Sequence, residues 1–167
     1  MGTTVRLRPL KASDEQAFLA NIRLSRSLHQ HWVLVPRTAK AFARYISEMN
    51  TADDQAYVVI RQDTQAMVGV VELQDIFRGD FQNAYLVYYA FAGQQRQGFM
   101  KEAVQQVIAK AFGPLRLHRL EANIQPDNLA SIALVRSCGF ELEGLSRQFL
   151  RKNGEWKDHQ RWSLLKG

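Results

Sequence analysis

Residues 84–112 hold the pattern that most limits what this chain can fold into. Ala84–Ala90 (AYLVYYA) is aromatic and β-branched and reads as a strand. Met100–Phe112 places Ala103, Val104, Val107, Ile108 and Ala111 on one side of a helix, and Gly113-Pro114 stops it. Between the two lies a turn containing Gly98. A helix N-terminus exposes unpaired backbone N–H groups and a partial positive charge, and a diphosphate fits there. Gly98 lets the backbone approach a phosphate closely, and Arg96 and Lys101 add positive charge. The plain alternative is a capped helix with no ligand. The segment is neither G-x-G-x-x-G nor a Walker loop, which removes support from dinucleotide and kinase readings.

The rest of the chain supplies strands and helices around this unit. Val5–Arg8 reads as a short strand. Ser13 and Gln16 form a capping-box pattern ahead of Phe18, Leu19 and Ile22. Thr38 caps a second helix carrying Phe42, Tyr45, Ile46 and Met49, and residues 28–32 between the two read as irregular. Ala56–Arg61 and Ala66–Leu73 are strands split by a polar turn. Arg119–Ile124 is another strand, and Asp127 or Asn128 caps a helix through Cys138. Phe140–Leu150 and Trp156–Leu164 flank Asn153-Gly154, a hairpin signal. The expectation is an α/β fold: a mixed sheet of about seven strands with helices on both faces, in one domain over residues 1–167.

Composition narrows the function classes. The net charge of +6 suits an anionic partner, but the basic residues are scattered, which weakens a nucleic-acid reading. Four histidines without metal-ligand spacing and a single cysteine, Cys138, argue against a metal site and exclude an internal disulfide. No apolar run approaches the roughly 20 residues that span a membrane, and no signal-peptide pattern opens the chain. The expected setting is cytoplasmic.

Gln95-Arg96-Gln97-Gly98-Phe99-Met100 resembles the (Gln/Arg)-x-x-Gly-x-(Gly/Ala) loop of the GNAT acetyltransferases. The resemblance continues through Lys101-Glu102-Ala103, Asn128-x-x-Ser131 and Cys138-Gly139-Phe140. The ending (Gly139–Gly144, Asn153–Asp158) and the opening Arg6–Pro9 with Asp14 are similar to the RimJ/RimL-type branch. One departure is Met100, which stands where the family usually has Gly or Ala.

This resemblance implies acetyl transfer from acetyl-coenzyme A to a primary amine. It implies that Gln95–Lys101 holds the diphosphate, that backbone N–H groups of Tyr88, Tyr89, Ala90 and Phe91 meet the oxyanion, and that Asn128, Ser131 and Arg136 contact the cofactor. Many relatives place an acidic tyrosine on the helix after Asn128. The matching position here is Val135, so Ser131 is the candidate for the leaving thiolate. The alternatives are that Ser131 or Asn128 merely caps the helix and that Arg136 sits on an exposed helix face. Candidate bases are Glu72, Glu121 and Asn123, with Glu72 carried forward; solvated strand residues are the alternative. His29, His31, Trp32 and Arg78–Phe81 are expected near the acceptor. The acceptor reads as a protein N-terminal amine or a small-molecule amine, on a monomer or homodimer. A rival reading is an acyl-CoA-binding or interaction module without catalysis.

Overall fold

The computed structural model describes residues 2–29 and 32–167. In chain order the elements are β1 (Val5–Pro9), a 3-10 turn (Ala12–Asp14), α1 (Glu15–Leu24), α2 (Arg26–His29), α3 (Ala39–Glu48), β2 (Gln55–Arg61), β3 (Met67–Phe77), β4 (Asn83–Ala90), α4 (Phe99–Phe112), β5 (Arg119–Ile124), α5 (Leu129–Ser137), β6 (Glu141–Lys152) and β7 (Glu155–Leu165). The strands form one sheet in the order β1-β2-β3-β4-β5-β7-β6. Every neighbouring pair is antiparallel except β4–β5, which is parallel.

Helices lie on both faces, as the strand and helix order predicts. Alternate strand residues point to opposite faces, so the sheet feeds two cores. On one side Val104 and Val107 of α4 and Val135 of α5 pack with Val71, Leu73, Leu86, Leu120 and Trp162. On the other, Phe18 and Ile22 of α1 and Phe42 of α3 pack with Val58, Val70, Tyr89 and Phe91. The second core is aromatic: the Phe18 ring centroid is 4.9 Å from Phe42 and 5.9 Å from Phe91.

Local chemistry sets the element ends. Thr38 Oγ1 accepts from Ala41 N at 3.1 Å and starts α3. Asn153 and Gly154 both have positive φ, as a tight two-residue hairpin demands. Two details differ from the sequence reading. Leu28 and His29, at the start of the stretch expected to be irregular, belong to the helical turn Arg26–His29. Ser13 does not cap α1. Asp14 is the organising residue instead, because its carboxylate accepts from Lys11 N (2.9 Å) and from both terminal nitrogens of Arg8 (2.6 and 2.8 Å), tying β1 to the helix start.

Asp14 is 5% exposed. Burial pushes its carboxyl up, but the Arg8 and Lys11 hydrogen bonds outweigh that and leave it below the usual carboxylate range. A lowered native pKa gives stability that is present above the unfolded value and lost as pH falls through the native one. Asp14→Asn should therefore cost about 2 kcal/mol at pH 7. In urea denaturation the difference should shrink on acidification; a difference independent of pH would contradict the ion-pair account.

Candidate functional site

The parallel β4–β5 pairing runs only through Asn83↔Arg119, Ala84↔Leu120 and Tyr85↔Glu121. Beyond Tyr85 the two strands part. A cavity of about 1240 Å³ fills the gap. Its walls come from residues 85–90 of β4, residues 122–125 at the end of β5, the loop into α4, the first turns of α5, the α2 region and the β6–β7 hairpin. The cavity therefore passes between the strands from the α4/α5 face to the α1/α3 face.

At one end stands the loop before α4. Gly98 occupies the N-cap with φ +81, a left-handed conformation that favours glycine. Gln95, Arg96, Gly98, Phe99, Met100 and Lys101 all line the cavity. Gln97 does not; its side-chain amide turns back to Gly93 O at 3.1 Å. The Phe99 ring lies under the Arg61 guanidinium, 4.8 Å from ring centroid to Cζ. Met100 has its own accommodation. A Cβ built at Gly69 of β3 would fall 2.9 Å from Met100 Sδ and 2.4 Å from Tyr89 O. The absent side chain at Gly69 leaves room for the thioether against the sheet.

Along the gap, Tyr88, Tyr89 and Ala90 line the wall. Phe91 does not: it is fully buried in the aromatic core and its N–H donates to Val68 O at 2.7 Å. Across the gap, Asn128 caps α5 by accepting from Ser131 N at 3.4 Å. Ser131 Oγ lies 2.6 Å from the Tyr88 hydroxyl. Arg136 is elsewhere, with Cζ 5.4 Å from the Trp162 ring centroid, because its position on the last turn of α5 faces β7 rather than the gap.

On the α1/α3 face, His29, Trp32, Gln74, Asp75, Tyr85, Phe149, Lys152 and His159 line the wall. His29 Nε2 donates to Ala90 O at 2.7 Å, and burial holds the imidazole below its ordinary pKa, hence neutral. Lys152 is likewise pushed down by burial. Glu72 is not in the wall. It sits behind it, accepting from the Tyr45 hydroxyl and from Gln74 Nε2 at 2.5 Å, while Tyr45 meets the Tyr89 hydroxyl at 2.9 Å. The side chain of Glu72 points toward α3, and Tyr45 closes over it.

Four other expectations have separate outcomes. Arg78 is outside the cavity; its guanidinium bonds Leu115 O and Gln82, bracing the β3–β4 loop against the end of α4. Glu121 is held by Arg119 at 2.8 Å and Arg161 at 3.5 Å. Asn123 lines the cavity, whereas His31 lies outside the described residues. The sequence reading missed Lys152 and His159. They sit on a long twisted hairpin with register shifts, where strand alternation alone does not tell which residues curl over the sheet. No group of three or more His, Cys, Asp or Glu able to hold a metal occurs among the described residues.

A family model described as Acetyltransferase (GNAT) domain matches residues 4–141. The chain belongs to the GNAT acetyltransferase family. It is therefore an acetyl-coenzyme A-dependent N-acetyltransferase, and the cavity between β4 and β5 has the dimensions and polar ends that a cofactor and an acceptor amine require. It is 29% identical over 172 residues to YjcK of Bacillus subtilis, named a probable N-acetyltransferase, covering 98% of this chain and 95% of that one. It is 34% identical over 97 residues to the ribosomal protein uS5-alanine N-acetyltransferase of Escherichia coli, covering 58% of this chain and half of that one. Its fold matches RimJ of Mycobacterium smegmatis, solved with a coenzyme A disulfide, at a TM-score of 0.90 and 21% identity, covering 96% of this chain and 81% of that one.

Two substitutions test this geometry. Gly69→Ala should cost about 2 kcal/mol and weaken acetyl-coenzyme A binding by pushing on the β4 backbone at Tyr89 and Ala90 as well as on Met100; calorimetry with unchanged affinity would contradict the packing account. Burial holds the Glu72 carboxyl above the usual range despite its hydrogen bonds from Tyr45 and Gln74. A raised native pKa supports the fold below the unfolded value and is lost as pH rises through the native one. Glu72→Gln should therefore gain on the order of 1 kcal/mol relative to wild type as pH rises above the carboxylate range. A wild-type advantage that grows with pH would mean the carboxylate is held ionised.

Proposed function

We propose that the chain acetylates the N-terminal amine of a polypeptide, in a cytoplasmic setting. Gln95–Lys101 and the N-terminus of α4 hold the diphosphate, with Arg96 and Lys101 supplying charge. Asn128 contacts the pantetheine arm. The β4 edge at Tyr88–Ala90 offers backbone N–H groups to the oxyanion, and Ser131 meets the leaving sulfur. Trp32, Gln74 and Tyr89 face the acceptor, with Glu72 fixing Gln74 directly and Tyr89 through Tyr45.

One observation carries the choice of acceptor. Asp75 is the only carboxylate in the described cavity wall, and Lys152 stands on the same face. A polyamine needs several anionic partners for its several charges, and a lysine in its path repels it. A polypeptide N-terminus brings one ammonium, followed by neutral peptide units that suit the Tyr85, Phe149 and Leu150 wall. Family relatives include both kinds: the uS5-alanine enzyme of Escherichia coli and a spermidine N(1)-acetyltransferase of Vibrio cholerae that is 23% identical.

Thiol release from acetyl-coenzyme A decides between them. Peptides beginning with Ala or Ser should give kcat/KM at least about tenfold above spermidine, a difference of about 1.4 kcal/mol. The reverse order would sink the proposal. Turnover with neither, alongside measurable cofactor binding, would favour the non-catalytic module.

A further inference from the structure

The first turn of α5 receives a tyrosine hydroxyl after all, but from the opposite strand. Val135, where many relatives carry their acidic tyrosine, is fully buried in the core. Tyr88 reaches across the gap from β4, and its hydroxyl lies 2.6 Å from Ser131 Oγ and 3.1 Å from the Ser131 carbonyl. Both residues line the cavity.

The proton count of this pair matters. Each hydroxyl has one proton and two lone pairs. If Ser131 donates to Tyr88, the phenol proton goes to the Ser131 carbonyl, 3.1 Å away, and the serine proton is turned away from any ligand. If Tyr88 donates to Ser131 Oγ, the serine proton is free for the cavity. A negative charge developing there selects the second arrangement, because charge-assisted hydrogen bonds are roughly twice as strong as neutral ones. Burial holds the Tyr88 hydroxyl above the ordinary phenol range, so it keeps its proton at neutral pH. Of the groups around the pair, Cys138 at the end of α5 is held neutral by burial, Lys101 lines the same cavity, and Asn123, Gln125 and Asn128 are uncharged.

We propose that Tyr88 is a positioning residue for the leaving group: its hydroxyl donates to Ser131 Oγ and turns the Ser131 proton toward the sulfur of coenzyme A. This rests on Ser131 meeting that sulfur. The C–S bond breaks with its electron pair on sulfur, the C–N bond forms, and the proton that completes the thiol is the one the amine nitrogen sheds. Neither Tyr88 nor Ser131 changes its proton count over the turnover. Tyr88 acts by removing the competing orientation of the serine and by polarising its O–H bond.

The test uses coenzyme A itself and needs no acceptor. The thiol of bound coenzyme A is titrated by the ultraviolet absorbance of its thiolate, with desulfo-coenzyme A as the blank and as a measure of affinity. In the wild-type protein the bound thiol should titrate below the free one. Tyr88→Phe should raise its pKa by about one unit, roughly a tenfold loss of thiolate at fixed pH. Ser131→Ala should raise it at least as far, and the double variant should match Ser131→Ala. Affinity for desulfo-coenzyme A should stay within about twofold, since that ligand lacks the sulfur the pair serves.

An unshifted thiol in Tyr88→Phe, or independent effects that add in the double variant, would overturn the proposal. So would a loss of desulfo-coenzyme A affinity as large as the loss for coenzyme A. If Tyr88→Phe does not fold, 3-fluorotyrosine at position 88 replaces it. That stronger donor should lower the thiol pKa, and no shift or a rise would be contrary. Failure of the wild-type protein to bind desulfo-coenzyme A would remove the cofactor reading and this proposal with it. Tight binding with an unshifted thiol removes this proposal alone.

Discussion

The site depends on a strand pairing that stops. β4 and β5 are the one parallel pair in the sheet, and they are hydrogen-bonded over three register positions before they separate. A sheet interior normally has no room for a ligand, because strands lie about 4.8 Å apart. Here the separation leaves a slot through the middle of the sheet, with backbone polar groups along its edges that need partners. The remaining five pairings are antiparallel and hold the two halves in place on either side. Each half has its own support: α1 and α3 cover one face of the first four strands, and α4 and α5 cover the opposite face across the gap.

A gap of this kind needs its ends defended. At the α4 end, Gly98 in a left-handed conformation lets the chain turn from loop to helix, so that the first turn of the helix faces the slot. Gly69 serves a different purpose. It lies beside β4 at Ala90, and its missing side chain accepts the Met100 thioether. A bulky residue in the phosphate loop and a glycine on the neighbouring strand β3 pack as one feature, and the same glycine lets β3 lie close to Tyr89 O. At the far end, the β6–β7 hairpin brings Phe149, Leu150, Lys152 and His159 to the cavity wall.

The sheet was legible in the sequence because strand period and turn residues are local signals. Ala84–Ala90, Gly98 and the amphipathic run to Phe112 needed nothing beyond their own neighbours. The loop assignment likewise rested on residues adjacent in sequence. What escaped was long-range. Whether Glu72 faces a cavity or Tyr45 depends on how α3 lies on β3, and nothing within several residues of either encodes it. Arg78 looked like an acceptor contact because loops carry specificity, yet its loop lies at the opposite end of β4 from the gap. Lys152 and His159 were invisible because hairpin register shifts decide which residues curl inward. For Ser131, spacing identified the residue, but its partner Tyr88 is 43 positions away and appears only when β4 faces α5.

Two adjacent tyrosines then divide the chemistry of the slot. Successive residues of a strand point to opposite faces, so Tyr88 reaches α5 while Tyr89 reaches α3. On one side Tyr88 joins Ser131; on the other Tyr89 joins Tyr45, which bonds Glu72. Acetyl transfer has this same asymmetry: a thiolate departs on the cofactor side, and a proton is lost from an amine on the acceptor side. A strand between the two can present a hydroxyl to each without moving, because its pleat separates them by construction. Burial keeps both tyrosines protonated, which suits them to orient neighbouring groups rather than to exchange protons themselves. On the acceptor side Tyr45 covers the Glu72 carboxylate, so that group meets the amine only through its hydrogen-bonded neighbours.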